Sequence, residues 1–179
     1  MPLVLAGATS GSTTIQATDA TTQTITLPAN NGTVLTTAST FGGTGPAFRA
    51  YRSGNQTISA STGTKVAFNA ETFDTNNNFD STTNYRFTPT VAGYYQVNST
   101  VAFTTGAGQL GIYKNGSLYQ TGIEVTYNGS LGGHLPVTDI VYCNGSTDYI
   151  EIYVYLTTGT TISSGETNTS FSASMVRSA

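Results

Sequence analysis

The chain has 179 residues, of which only 8% are Asp, Glu, Lys or Arg, and its formal net charge is −3. The six basic residues are scattered singly and form no stripe that could neutralise phosphates, which excludes nucleic acid as a partner. The start MPLVLAGATS lacks the charged and apolar regions of a secretory signal peptide, and no apolar run approaches the roughly 18 residues of a membrane span. We expect a soluble protein without membrane insertion and, with Cys143 as its single cysteine, without an intrachain disulfide.

Residues 1–40 differ in kind from the rest of the chain. In the stretch TTIQATDATTQTITLPANNGTVLTT, a few apolar residues are spaced by polar turns and are too sparse to build a core. These residues must be buried against something else. The Gly-rich stretch FGGTGP, residues 41–46, predicts a joint between this arm and a head at residues 47–179.

The head region predicts an almost pure β-sheet fold. Short apolar runs alternate with polar residues and are separated by Gly, Asn and Pro, and no stretch has the period of an amphipathic helix. Eight or so such strands suit a sandwich or jelly roll. The predicted strands are AFRAYR from Ala47, KVAF from Lys65, YRFT from Tyr85, YYQVNSTVAF from Tyr94, QLGIYKNG from Gln109, LPVTDIVYC from Leu135, DYIEIYVYL from Asp148 and SFSASMV from Ser170.

Turn residues and alternation refine this picture. The pairs Asn115-Gly116 and Asn144-Gly145 each offer the two positive-φ positions of a type I′ hairpin turn. In the strand YYQVNSTVAF, alternate residues share a face, and we expect one set to face the core and the other to be wetter. The core set is Tyr95, Val97, Ser99, Val101 and Phe103, and the wetter set is Tyr94, Gln96, Asn98, Thr100 and Ala102.

The sole histidine, His134, makes a catalytic triad improbable in this chain. Any Ser-His-Asp arrangement must use it, and Asp139, the nearest downstream acid, lies five residues away on the same predicted strand. An odd spacing points two side chains to opposite faces of a sheet. We interpret His134 as an ordinary strand-end histidine, although three copies around a symmetry axis could bind a metal ion.

Glu151 is the acid best placed for glycoside hydrolysis, because Tyr149 and Tyr153 flank it on one strand face. Hydrolysis needs a second carboxylate on the same wall, and none stands at strand spacing. The sequence therefore indicates a structural role for Glu151. We predict a protein that is not an enzyme and that needs no cofactor.

The stretch DTNNNFD resembles the opening of a calcium loop, with oxygen-bearing side chains at every second position from Asp74 to Asp80. It departs from the EF-hand because Phe79 stands where that loop requires glycine, and Tyr85 stands where it requires a bidentate acid. A plain Asn-rich turn is the favoured interpretation. Whether a metal ion binds there stays open. The candidate oxygen ligands are Asp74, Asn76, Asn78 and Asp80.

The strand DYIEIYVYL has large side chains on both faces, so both faces need cover. One face, with Ile150, Ile152 and Val154, is expected to enter the core. The other is expected to meet a neighbouring subunit, because a tyrosine ring can be buried while its hydroxyl stays hydrogen-bonded. The predicted subunit-interface residues are Tyr149, Tyr153 and Tyr155.

The stretch RFTPTVAGYYQV resembles the F-x-P-x-x-G-x-Y signature of the jelly-roll domain shared by tumour necrosis factor and the globular heads of the first complement component. The matching residues are Phe87, Pro89, Gly93 and Tyr95. YKNGSLY resembles that family's Lys-Asn-Gly hairpin, CNGSTDYIEIYV its Gly-Asp strand entry with an insertion, and SFSASMV its closing strand with Ala173 in place of glycine. The resemblance covers roughly residues 46–179. It implies homotrimers whose heads each have ten strands in two five-stranded sheets.

The arm resembles the Thr-rich segments that precede such heads in tail-fibre and decoration proteins of tailed bacteriophages. This resemblance implies an all-β, trimeric virion protein that is assembled in the host cytoplasm and attached to other virion proteins through residues 1–40. We expect a fibre or spike whose head contacts a glycan or protein of the host surface. The alternative is a capsid decoration protein that binds no receptor.

Overall fold

The structure, a computed structural model, describes residues 45–128 and 132–179 and, for their backbone, the strand residues 3–6 and 12–15. In the described N-terminal part, β1 (Leu3–Ala6) pairs antiparallel with β2 (Ser12–Ile15). The other residues of the predicted arm, and residues 41–44 of the predicted joint, lie outside the described residues.

Contacts divide the chain into two compact units, Met1–Phe41 and Gly42–Ala179. The described residues of the second unit form strands and no helix, which confirms the predicted all-β class. No helix among the described residues is long and apolar enough to cross a membrane. The strands are β3 (Ala47–Tyr51), β4 (Gln56–Ile58), β5 (Thr64–Lys65), β6 (Ala70–Asp74), β7 (Phe79–Asp80), β8 (Arg86–Phe87), β9 (Ala92–Phe103), β10 (Gly106–Lys114), β11 (Ser117–Thr121), β12 (Val125–Tyr127), β13 (Gly133–Asn144), β14 (Ile150–Leu156), β15 (Thr160–Ile162) and β16 (Ser170–Ser178).

These strands form a sandwich of two antiparallel sheets. Sheet one has the order β11-β10-β14-β8-β7, with β12 also paired to β10 and β5 to β14. Sheet two has the order β4-β15-β9-β16-β3-β6, with β13 also paired to β9. Each sheet thus has seven strands, two more than the expected five. The difference arises because short strands of two or three residues add to the sheets: β5 pairs with the long β14, and β7 pairs with the equally short β8.

The core between the sheets is built around stacked aromatic rings. The Phe48 ring centroid lies 4.6 Å from those of Phe79 and Phe87, and 4.8 Å from that of Phe171. Phe87 in turn meets Tyr95 edge-on at 5.4 Å. Edge-to-face and offset contacts of this kind add stability beyond the burial of area. Rings from β3, β7, β8, β9 and β16 therefore hold the two sheets together.

Strand β9 alternates as predicted. All five residues of the expected core set are buried, including Ser99, whose hydroxyl donates to the Ser170 carbonyl at 2.9 Å. On the other face Ala102 is also buried, where a wetter position was predicted. The chain at residues 163–168 lies beside it, since the Ala102 amide donates to the Asn168 carbonyl at 3.0 Å. Ala102 is thus covered by a loop that the alternation cannot reveal.

The two predicted hairpin turns have different outcomes. Asn115 and Gly116 both have positive φ, 53° and 78°, which confirms the type I′ turn between β10 and β11. At the second site Gly145 has a φ of 73°, but Asn144 is not in the left-handed region, so that prediction is wrong. The Asn144 side chain instead accepts the amide N–H groups of residues 146–148, which is a turn stabilised by a side chain.

Candidate functional site

Tyr95 of the predicted signature is a core residue. Its hydroxyl donates to the Val91 carbonyl at 2.7 Å, so the buried polar group is satisfied. Burial, with a smaller contribution from neighbouring Cys143, raises the pKa of Tyr95 to about 12. Because Phe87 packs on the same ring, both signature aromatics stabilise the sandwich.

The other two signature residues shape the corner into β9. Pro89 is buried between β8 and β9. At Gly93 an added Cβ would lie 2.5 Å from the carbonyl oxygen of Arg177, so only glycine allows this close approach of β9 to β16. The structure thus places the signature residues in the packing of the fold.

The two turn motifs that carry the resemblance meet at one buried carboxylate. Lys114 Nζ lies 2.9 Å from Asp148 Oδ2, and the Asn115 amide donates to Oδ1 at 2.7 Å. The backbone N–H of Asn144 donates to Oδ2 at 3.0 Å. The bond from Asn115, reinforced by Lys114, holds the pKa of Asp148 below its usual range. Asp148 therefore joins the β10–β11 hairpin to the loop that precedes β14.

The candidate catalytic residues do not converge. His134 is exposed on β13, and Asp139 has the strand parity of the buried residues Val137 and Val141. The Asp139 carboxylate accepts the N–H of Ile140 at 2.7 Å. Among residues 45–128 and 132–179, no group of three His, Cys, Asp or Glu side chains could hold a metal ion.

In the Asn-rich loop, both acids accept hydrogen bonds from their own loop. Asp74 accepts the N–H groups of Asn76 and Phe79, at 3.2 and 2.7 Å. Asp80 accepts the three N–H groups of residues 82–84, and these bonds hold its pKa far below the usual range. These carboxylates cap turns, which is a structural role.

Glu151 is buried at 4% exposure but carries a partner that the sequence did not reveal. Lys65 Nζ lies 2.5 Å from its carboxylate and also donates to the Asn84 carbonyl at 3.2 Å. Lys65 reaches Glu151 because β5 pairs with β14 opposite Tyr153. Only this non-local pairing, which no local pattern predicts, brings the two charges together.

The three tyrosines of the predicted interface differ in exposure. Tyr149 lies under the Arg86 guanidinium, with its ring centroid 4.3 Å from the guanidinium carbon. Tyr153 packs on Tyr113 at 4.2 Å between centroids. Tyr155 is exposed at 37%. The rings of Tyr149 and Tyr153 thus pack against residues of the same chain. The assignment of the three tyrosines to a subunit interface stays a prediction.

Beside these tyrosines, the outer face of sheet one holds a small groove, which we call the tyrosine groove. It has a volume of about 200 Å³. Aromatic, amide and hydroxyl side chains surround a floor at Gly111. The side chains used below are those of Gln109, Tyr113, Leu118, Thr121, Tyr153 and Tyr155.

The outer face of sheet two has a different feature, an apolar cluster that we call the sheet-two patch. It consists of Tyr94, Ile140, Tyr142 and Val176, which are between 40% and 52% exposed and line one depression. Tyr94 and Tyr142 are cross-strand partners with ring centroids 5.4 Å apart. In the sequence, the only sign of this patch is that Tyr94 and Tyr142 each stand on the more polar face of a strand. Their proximity depends on the pairing of β9 with β13, which the sequence does not reveal.

No protein-family model matches the sequence, and no match is found among curated proteins. Solved structures show the fold. The chain is similar to the globular domain of zebrafish complement 1qA protein, with a TM-score of 0.59, 18% identity and coverage of 75% of this chain and 99% of that chain. For murine APRIL the TM-score is 0.57, with 12% identity and coverage of 73% and 98%. For the vertex protein P5 of phage PRD1 it is 0.56, with 18% identity and coverage of 75% and 99%. The predicted likeness to the jelly-roll domains of tumour necrosis factor and complement heads is therefore confirmed for the fold.

Proposed function

We propose that this chain is a non-enzymatic, structural virion protein that forms homotrimers through the sheet-two patch. The observation that carries the proposal is the grouping of four large apolar side chains, each at least 40% exposed, on one sheet face. Contiguous apolar surface of this kind marks a site of protein association. A second and a third copy of the chain are the proposed occupants.

Four side chains alone are too small for a stable interface, which buries about 800 Å² on each partner. A cross-strand row of the same sheet face that adjoins the patch supplies further area. In this row, Ala47 lies opposite Ser174, Ser174 opposite Gln96, and Gln96 opposite Ile140 of the patch. Ala47 and Ser174 are small, so another copy can approach closely in this row beside the apolar patch.

The virion assignment is supported by the fold shared with the vertex protein P5 of phage PRD1 and by the Thr-rich arm. We propose that residues 1–40 attach the trimer to other virion proteins, with assembly in the host cytoplasm. The head then faces outward and contacts a glycan or protein of the host surface. A role without catalysis fits these acids, because Glu151 and Asp148 pair with lysines and Asp80 accepts hydrogen bonds in a turn.

A capsid decoration protein without receptor binding is the second candidate. It is favoured by one observation, the likeness to a protein named for its place at a vertex, which is part of a shell. In this case, the sheet-two patch and the arm serve assembly alone. The two candidates share the trimer and differ in the partner of the head.

The trimer is tested by light scattering on the full chain and on two matched variants. We expect a mass of three chains for the unaltered protein and for Tyr155→Ser, and dissociation for the double variant Ile140→Ser with Tyr142→Ser. The changed side chains of both variants are exposed, so we expect each variant to keep the fold. A monomeric unaltered protein would contradict the proposal. Dissociation of Tyr155→Ser alone would move the interface to the tyrosines predicted from the sequence.

The partner of the head is tested by parallel binding of labelled protein to intact host cells and to virions that lack it. Saturable binding to cells supports host contact. Binding to the depleted virions alone supports the decoration protein and contradicts receptor binding.

A further inference from the structure

The tyrosine groove lies around Gly111 on the outer face of sheet one. Gly111 lies opposite Tyr153 on β14 and opposite Thr121 on β11. A Cβ at this position would lie 2.9 Å from Leu118 Cδ1 and 3.0 Å from Tyr113 Cε2. Leu118 and Tyr113 thus pack closely over Gly111, and these residues, with Tyr153 and Tyr155, line a hollow of about 200 Å³, which is room for one ring-sized ligand.

The groove also holds polar groups without a partner in the described chain. The Gln109 amide and the Thr121 hydroxyl make no side-chain hydrogen bond to another residue of 45–128 or 132–179. The hydroxyl of the exposed Tyr155 has no such bond either within those residues. Donors and acceptors beside aromatic rings suit a ligand that is apolar on one face and hydroxylated at its edge.

The charged residues next to the groove indicate whether the ligand is charged or neutral. Lys65 and Glu151 adjoin it through Tyr153, and they neutralise each other at 2.5 Å. Lys65 Nζ also lies 6.0 Å from the Tyr153 ring centroid, so its charge is held at that side. None of the described residues that line the groove is charged, and Lys65 and Glu151 beside it pair with each other, so a neutral ligand fits better than a phosphate, sulfate or carboxylate group.

We propose that the tyrosine groove binds a neutral pyranose unit of a glycan. The C–H face of the sugar stacks on the Tyr155 ring, while its hydroxyl groups bond to Gln109 and Thr121. This inference deepens the host-contact part of the proposed function and rests on it. A trimer carries three such grooves, so a weak single site gains strength on a dense glycan surface through multivalent binding.

The test uses the full chain and a panel of neutral oligosaccharides of glucose, galactose, mannose and N-acetylglucosamine, with sialylated and phosphorylated counterparts. We expect at least one neutral sugar to bind, and Tyr155→Ala to weaken that binding about tenfold. Tyr155→Phe keeps the ring and should retain most of the affinity. Tyr119→Ala removes another exposed tyrosine of the same sheet that does not line the groove, and should change nothing. Gln109→Ala should weaken binding with the fold intact.

Several results would overturn the inference. These are no binding to any neutral sugar of the panel, tighter binding of the charged counterparts, or equal binding by the Tyr155→Ala and unaltered proteins. Loss of trimer mass in Tyr155→Ala would show that another copy of the chain occupies the groove. Binding to depleted virions that is lost in Tyr155→Ala would show a protein occupant. A trimer that binds host cells but no sugar would refute this inference and leave the proposed function standing.

Discussion

At the residue scale, two buried acids of this weakly charged chain each depend on one lysine. Asp148 and Glu151 lie before and within β14, and they pair with Lys114 of β10 and Lys65 of β5. The chain has six basic residues, so a third of them neutralise buried acids. Breaking such a pair costs more than the pair contributes, because a desolvated charge is left without a partner.

Replacing Asp148 by Asn should lower the free energy of unfolding by about 2 kcal/mol at pH 7. The uncharged amide of Asn cannot neutralise the Lys114 ammonium group. An NH₂ group in the place of Oδ2 would also face two hydrogen-bond donors, Lys114 Nζ and the backbone N–H of Asn144. Because the pKa of Asp148 is lowered in the folded state, its contribution is complete above the unfolded value of about 4 and is lost as the pH falls further. Urea unfolding at pH 7 and pH 3 measures both effects.

The control for this change is Asp139→Asn, the same substitution at a carboxylate that accepts only the adjacent Ile140 amide among the described residues. It should leave stability at pH 7 nearly unchanged. Asp80, whose pKa is also lowered, stays in every variant, so the difference in pH dependence between the unaltered protein and Asp148→Asn isolates Asp148. An equal loss of stability at pH 3 and pH 7 would contradict the electrostatic explanation.

At the element scale, the sequence predicts the long strands and the short β8, and it misses several other short strands, such as β7 and β12. Alternation over many residues identified β9, β13 and β14, because one buried face imposes a period of two. Strand β7 has only two residues and pairs with the equally short β8. Strand β5 overlaps the predicted strand KVAF only at Lys65, and it pairs with the distant β14. The sheet-two patch was missed for the same reason, since Tyr94 and Tyr142 become neighbours only through the register of β9 and β13.

Phe48 of β3 contacts aromatic rings from both sheets, and its replacement by alanine tests how much these contacts stabilise the fold. Phe48→Ala should lower the free energy of unfolding by about 4 kcal/mol, because the ring is fully buried and contacts three others. Phe73→Ala on edge strand β6 removes a ring that is 47% exposed, and should change stability by less than about 0.5 kcal/mol. Chemical denaturation measures both, and equal losses would contradict the central place of Phe48.

At the scale of the whole molecule, a sandwich has two outer faces, and here they differ in chemistry. Sheet two presents the apolar patch, next to the small residues Ala47 and Ser174, and we propose that it contacts another copy of the chain. Sheet one presents a small groove with rings, an amide and hydroxyls, which fits a ligand. If the proposed function is right, association through sheet two leaves sheet one open, and assembly and recognition do not compete for the same surface.

Removing residues 1–40 should separate folding and trimer formation from attachment. Among the described residues, the buried core cluster runs from Phe48 to Ala173, so we expect the shortened chain to unfold with the same free energy as the full chain. Light scattering should still give three chains, since the sheet-two patch is kept, while incorporation into virions should be lost with the arm. The double variant Ile140→Ser with Tyr142→Ser is the converse control, because it keeps the arm and removes the patch. Unchanged incorporation of the shortened chain would refute the role of the arm, and a monomeric product would show that the arm, and not the patch, holds the trimer.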